Sequence, residues 1–132
     1  MIFVDTSVWV SYLRLGEPLI RQTLDALIDE DEVALAAPVK VELLGGTRVG
    51  EVARLQQTMW ALRQFVPSND TWKLVEEWAL RGATKGQHFG VGDLLIGALA
   101  AERGGMVWSL DGDFERMARL RLLKLFKVPR KH

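Results

Sequence analysis

Short, unbroken apolar runs alternate along this chain with longer stretches in which apolar residues recur every three or four positions. Ile2-Phe3-Val4, residues 33–37, Phe65-Val66 and Met106-Val107-Trp108-Ser109 are runs of the first kind, and residues 122–128, mostly apolar but interrupted by Lys124 and Lys127, give a last strand. Runs this short, with no alternation, suit strands buried on both faces of a parallel sheet. Val8, Trp9, Tyr12 and Leu13 have helical spacing, as do Leu19, Ile20, Leu24, Leu27 and Ile28. Asp29, Glu30, Asp31 and Glu32 then oppose the helix dipole, so the chain should leave the helix there. Pro38 suits a first helical turn, where its missing amide costs nothing, and that helix carries Val39, Val41, Leu43 and Leu44 up to Gly45-Gly46. Val52, Leu55, Met59 and Leu62 step by three, four and three. After a turn at Pro67-Ser68-Asn69-Asp70, the residues Trp72, Val75, Trp78 and Ala79 predict another helical face, ending near Gly82. Residues 94–101 are apolar all round, which predicts a helix buried on several sides, and residues 115–120 predict the last helix.

Strands alternating with helices in this way predict a three-layer α/β/α domain with a mainly parallel, five-stranded sheet. The 132 residues suit one domain over 1–132, with no internal repeat, low-complexity tract or linker. In open sheets of this kind ligands bind at the carboxyl ends of the strands. Asp5 stands at such an end.

Composition narrows the chemistry. There is no cysteine, which removes disulfides, thiolate zinc sites and cysteine nucleophiles and fits a reducing cytosol. The amino terminus lacks a basic region followed by a long apolar stretch, and the apolar run 94–101 is far too short to span a bilayer. A soluble, cytoplasmic protein without membrane partners is expected. The tryptophans at 9, 60, 72, 78 and 108 lie mostly on apolar faces, so packing rather than base stacking is their expected use. Charges cancel overall, at 17 basic against 17 acidic residues, yet they are unevenly spread. The amino-terminal quarter is acidic, whereas Arg116, Arg119, Arg121, Lys124, Lys127, Arg130 and Lys131 make the end of the chain basic. Such a local basic surface can meet phosphates despite a neutral total.

Four acids occupy positions where an ordinary fold gains little from them. Asp5 follows the first strand, Glu42 sits inside an apolar helical run, Asp93 opens the buried helix, and Asp111 follows the fourth strand. Each also has a plain structural use, as a helix cap, a turn residue or an outward-facing side chain. If they converge at the sheet edge, their repulsion is relieved by protons or by a cation. Carboxylate oxygens favour hard ions such as Mg²⁺ or Mn²⁺. His88 and His132 are isolated and read as surface residues. Such ions suit phosphodiester cleavage, by activating water and stabilising charge on the phosphate. The Gly-Lys-Ser/Thr phosphate loop is absent, and no Ser, His and Asp arrangement is evident.

The stretches Ile2-Phe3-Val4-Asp5-Thr6-Ser7-Val8-Trp9, Ala37-Pro38-Val39-Lys40-Val41-Glu42-Leu43, Gly92-Asp93-Leu94-Leu95-Ile96-Gly97-Ala98 and Val107-Trp108-Ser109-Leu110-Asp111-Gly112-Asp113-Phe114 resemble, in order and separation, the PIN domain family of metal-dependent nucleases. The likeness extends to the small VapC-type toxins of prokaryotic toxin–antitoxin pairs. It implies an acidic pocket in which Asp5 and Asp93 are the main metal ligands, Glu42 holds the ion or its waters, and Asp111 completes the ring. It also implies that Thr6 and Ser109 support the site by hydrogen bonding, Ser109 standing where threonine is usual. Asp113 belongs to the motif and serves either as a helix cap or as a metal ligand. A homodimer and an antitoxin that occupies the pocket are implied as well.

The expected function is a Mg²⁺- or Mn²⁺-dependent endoribonuclease toxin, with Arg130 and Lys131 in the basic tail helping to hold the RNA backbone. The alternative is a non-catalytic RNA- or partner-binding module of the same fold. A Toprim-like domain would want glutamate where Asp5 stands, and a haloacid-dehalogenase-type phosphatase would want aspartate in place of Ser7.

Overall fold

A computed structural model describes residues 1–129. In chain order the elements are β1 (Ile2–Val4), α1 (Thr6–Leu13), α2 (Pro18–Asp29), β2 (Val33–Ala36), α3 (Ala37–Gly46), α4 (Val52–Trp60), β3 (Arg63–Phe65), α5 (Asn69–Thr84), α6 (Val91–Glu102), β4 (Met106–Trp108) and α7 (Gly112–Arg119), with one 3-10 turn, Val49–Glu51, ahead of α4. The strands form a wholly parallel sheet in the order β3-β2-β1-β4. Helices separate every pair of consecutive strands, giving the α/β/α architecture expected from the alternation.

The strand order positions the site. From β1 the chain steps outward to β2 and β3, then returns past β1 to lay β4 against its other edge. Phe3 is thus paired with Ala34 on one side and Val107 on the other. Such a reversal of direction opens a crevice at the carboxyl ends of the strands that flank it. Asp5 leaves β1 into that crevice, and residues 109–113 leave β4 into it.

The core explains why β1 reads as one apolar run. Ile2, Phe3 and Val4 are all buried, as are the four residues of β2. α6 is buried continuously from Leu94 to Ala100. Each Leu or Ile fully sequestered in this way contributes about 1.5–3 kcal/mol. Gly97 at its centre is required by packing, since a Cβ there would lie 2.7 Å from Leu123 Cδ2 and 3.1 Å from Trp78 Cζ3. Trp9, Trp78 and Trp108 belong to the core, whereas Trp60 is 85% exposed and Trp72 45% exposed.

Several elements depart from the sequence pattern. The sheet has four strands where five were expected. Residues 122–128 run beside β4 through a single bridge, Val107 to Leu125, flanked by bonds from Val107 N to Lys124 O and from Phe126 N to Val107 O. The pairing stops at that one bridge, so the segment packs against β4 without becoming a fifth strand. β3 is Arg63–Phe65 rather than 65–66, because an edge strand tolerates the exposed Arg63 and Gln64, while Val66 is out in solvent. α5 starts at Asn69, inside the expected turn, because Ser68 and Thr71 form a reciprocal capping box. Its buried face is Thr71, Val75, Trp78 and Gly82, not Trp72.

Candidate metal centre

Asp5 is 6% exposed and occupies the position before α1. Its N–H donates to Trp108 O at 2.9 Å, which fixes the start of α1 to the end of β4. The side chain does not cap the helix. Instead Asp5 Oδ2 accepts two hydrogen bonds of 2.8 Å, from Ser7 Oγ and from Ser109 Oγ. Each hydroxyl also accepts a backbone amide from the β4 exit, Ser7 from Leu110 N at 3.0 Å and Ser109 from Asp111 N at 2.9 Å. Both serines are therefore committed in donor and acceptor roles, and the Asp5 carboxylate has one defined orientation. Among the described residues Oδ1 of Asp5 makes no hydrogen bond.

Thr6 does not do what the family pattern implies. Its Oγ1 is buried with no hydrogen-bond partner, and Ser7 supports Asp5 in its place.

Asp93 is the third residue of α6, whose N-cap position is taken by Gly90 without a side-chain bond. Asp111 holds the N-cap position of α7, accepting the Asp113 amide at 3.0 Å, and Asp113 lies in the first turn. One carboxylate oxygen from each of Asp93, Asp111 and Asp113 lies within 4.8 Å of the others. Asp5 and Glu42 are outside that tight set. Glu42 is an exposed side chain on α3, and its Oε1 is 3.5 Å from where a Cβ on Gly92 would stand, so it flanks the start of α6. The pKa of Asp93 is pushed up to about 6, by burial first and then by the negative charge of Asp5, Asp111, Asp113 and Glu42. All five carboxylates thus bear on one point. Asp113 does not cap α7: Asp111 does, and Asp113 gives that cap only its backbone amide while its carboxylate lies in the ring.

The donors are all carboxylate oxygens, with neither histidine nor cysteine among them. This set fits a hard divalent cation such as Mg²⁺ or Mn²⁺ and not zinc or a soft metal.

Arg116, which has no part in the sequence reading of the site, supplies a fixed positive group beside the ring. Its Nη2 donates to Asp113 Oδ1 at 2.7 Å and to His88 O at 3.4 Å, and its Nη1 donates to Gln87 Oε1. Its guanidinium also lies 4.7 Å from the centre of the Phe89 ring. The polar connector before α6 is thereby fastened to the start of α7. Gly82 makes room for it, because a Cβ there would stand 2.9 Å from Gln87 O and 3.0 Å from Phe89 Cε2. The i,i+3 spacing of Asp113 and Arg116 was the available sequence signal. His88 contributes only its carbonyl, and its side chain is exposed. His132, Arg130 and Lys131 lie outside the described residues. No helix among the described residues is long and apolar enough to cross a membrane.

Comparison with known proteins agrees with this architecture. The chain is 27% identical over 128 residues to VapC ribonuclease Mb1587 of Mycobacterium bovis, covering 91% of this chain and 93% of that protein. Its fold is similar to a chain of FitAcB from Neisseria gonorrhoeae, with a TM-score of 0.80 and 22% identity over 96% of this chain and 97% of that one. It is also similar to a chain of VapBC2 from Rickettsia felis bound to a DNA fragment from the promoter, with a TM-score of 0.79 and 20% identity over 96% of this chain and 98% of that one. The sequence model of the PIN domain matches residues 2–120, and the chain belongs to that family.

Proposed function

We propose that this protein is a divalent-cation-dependent endoribonuclease, the toxin of a VapBC-type toxin–antitoxin pair, working in the cytoplasm as a single domain over 1–132. The observation that carries this reading is the convergence of Asp93, Asp111 and Asp113 above a buried, doubly hydrogen-bonded Asp5. The ribonuclease relative supports RNA as the substrate. The toxin–antitoxin neighbours support a cognate antitoxin that covers the site, and a homodimer is proposed with it.

Asp93, Asp111 and Asp113 would hold Mg²⁺ or Mn²⁺, with Asp5 and Glu42 reaching the ion or its waters. When bound, such an ion supplies an activated water and a counter-charge for the phosphate undergoing hydrolysis. The remaining work belongs to the chain. Ser7 and Ser109 hold one Asp5 oxygen, so the carboxylate cannot rotate away from the ring. Arg116 holds Asp113 and offsets part of the negative charge that five carboxylates bring together. Asp93 takes up a proton below about pH 6, which relieves the repulsion in the absence of a cation.

The test is hydrolysis of structured RNAs by protein freed of any partner, with Mg²⁺ or Mn²⁺ and with chelator, beside an Asp5→Asn variant. Metal-dependent cleavage that Asp5→Asn abolishes is expected. Cleavage that survives both chelation and the substitution overturns the metal mechanism, and inactivity on every substrate favours a binding module without turnover.

A further inference from the structure

A cleft of ≈ 310 Å³ lies between the ends of α1 and α3 and the start of α4. It is lined by Arg14, Arg48 and Arg54, with Glu51 as the opposing charge and Thr47 and Gly46 at its wall. All three arginines are exposed. Among the described residues none of them lies within ion-pairing distance of a carboxylate. Asp25, across on α2, is engaged by the Tyr12 hydroxyl. We propose that this cleft binds the phosphodiester backbone of the RNA whose neighbouring phosphate is cleaved at the carboxylate ring, an inference that rests on the nuclease reading.

Three features support a polyanion here. Arg14, at the C-cap of α1, complements the helix dipole as a cation should. Arg48 and Arg54 do the reverse. They flank the amino-terminal end of the 3-10 turn and α4, where a cation opposes the dipole, so local stability does not account for them. A phosphate in the cleft would be met both by guanidinium groups, which match its oxygens in bidentate geometry, and by the positive end of α4.

The cleft and the ring share two helices, α1 and α3. Glu42, whose charge bears on Asp93, and Gly46 of the cleft are four residues apart on α3, about 6 Å along the helix. On α1 the distance from Asp5 to Leu13 is about 12 Å by helical rise. These spacings put the cleft within reach of a strand with one phosphate at the ring. An acidic peptide would satisfy the charge as well, but the position of the cleft on the helices that follow Asp5 and carry Glu42 favours RNA.

The experiment measures binding of a fluorescent single-stranded RNA by anisotropy across a salt series, in chelator so that hydrolysis is withheld. It compares wild type, a cleft variant with Arg14→Ala, Arg48→Ala and Arg54→Ala, the same three positions changed to Lys, and a control with Lys73→Ala, Arg81→Ala and Arg103→Ala. Each phosphate contact on a single strand contributes about 0.7 to the slope of log affinity against log salt, so the cleft variant should lose about two from that slope and roughly ten- to a hundredfold in affinity at low salt. The lysine variant should keep most of the slope. Melting curves check that the variants are folded. An unchanged slope overturns the proposal, as does an equal loss in the control, or an acidic peptide that binds the cleft while the RNA slope stays unmoved. Wild type that binds with the expected slope yet never cleaves overturns the nuclease reading and leaves the cleft standing. Wild type that cleaves while the cleft variant keeps its full slope overturns the cleft alone.

Discussion

The hydroxyl of Ser109 lies 2.8 Å from Asp5 Oδ2, joining the exits of β4 and β1 across 104 residues of chain. Ser109→Ala leaves Asp5 with Ser7 alone and a buried oxygen half satisfied. A loss of about 1–2 kcal/mol in stability is expected, together with lower activity, while Ser109→Thr keeps both. Chemical denaturation and RNA cleavage on the same samples measure the two effects.

Asp93 sets the pH dependence. Its folded pKa, about 6, lies above the ordinary 3.8, so between these values the native state binds more protons than the unfolded state. Without a cation, stability therefore falls as pH rises through this window. Solvent screening limits the effect to about 1 kcal/mol. Asp93→Asn should flatten that dependence in chelator. Stabilisation by Mn²⁺ should have the opposite trend, appearing as pH rises past about 6 and absent in Asp93→Asn. Thermal melts with and without Mn²⁺ from acid to neutral pH follow both.

Arg116→Ala releases Asp113 and unfastens the connector that carries Gln87 and Phe89. Its ion pair is partly exposed, so little stability is lost. Removing a group that orients a metal-binding carboxylate typically costs tenfold or more, so Mn²⁺ affinity should fall about tenfold. Arg116→Lys should recover part of it. Calorimetric titration of Mn²⁺ distinguishes this from general loosening, which would lower the melting temperature instead.

Gly97→Ala tests the packing under the site. The added methyl meets Leu123 and Trp78, and overpacking of this kind costs about 1–3 kcal/mol. The melting temperature should drop, and the fraction that remains folded should cleave RNA at the wild-type rate per folded molecule.

The parts of the molecule that were legible in the sequence share one cause. β1, β2 and β4 are buried on both sides and therefore appear as unbroken apolar runs, and Asp5 and Asp111 stand out because they end such runs. Asp93 was visible for the converse reason, as the charge at the head of a helix with no polar face. What stayed hidden depends on orientation or on long-range contact. Whether Thr6 or Ser7 faces Asp5 is decided by the rotation of the first turn of α1, and both are small hydroxyls. β3 carries polar residues because it is an edge. The fifth strand shrank to one bridge, Val107 to Leu125, because how far a segment pairs with its neighbour is a long-range property. Arg116 became part of the site only through a connector that approaches it because Gly82 has no side chain.

The return of the chain to lay β4 beside β1 also determines when the site comes into being. Synthesis proceeds from the amino terminus, and emerging segments fold as they can. Asp5 is made among the first residues, but Ser109, Asp111 and Asp113 follow only after β1, β2 and β3 have left the ribosome. Until residues 106–113 exist, the Asp5 side chain lacks one of its two hydrogen-bond donors and the ring lacks two of its three closest carboxylates. The order of the strands thus makes the carboxylate ring one of the last features of the fold to be completed.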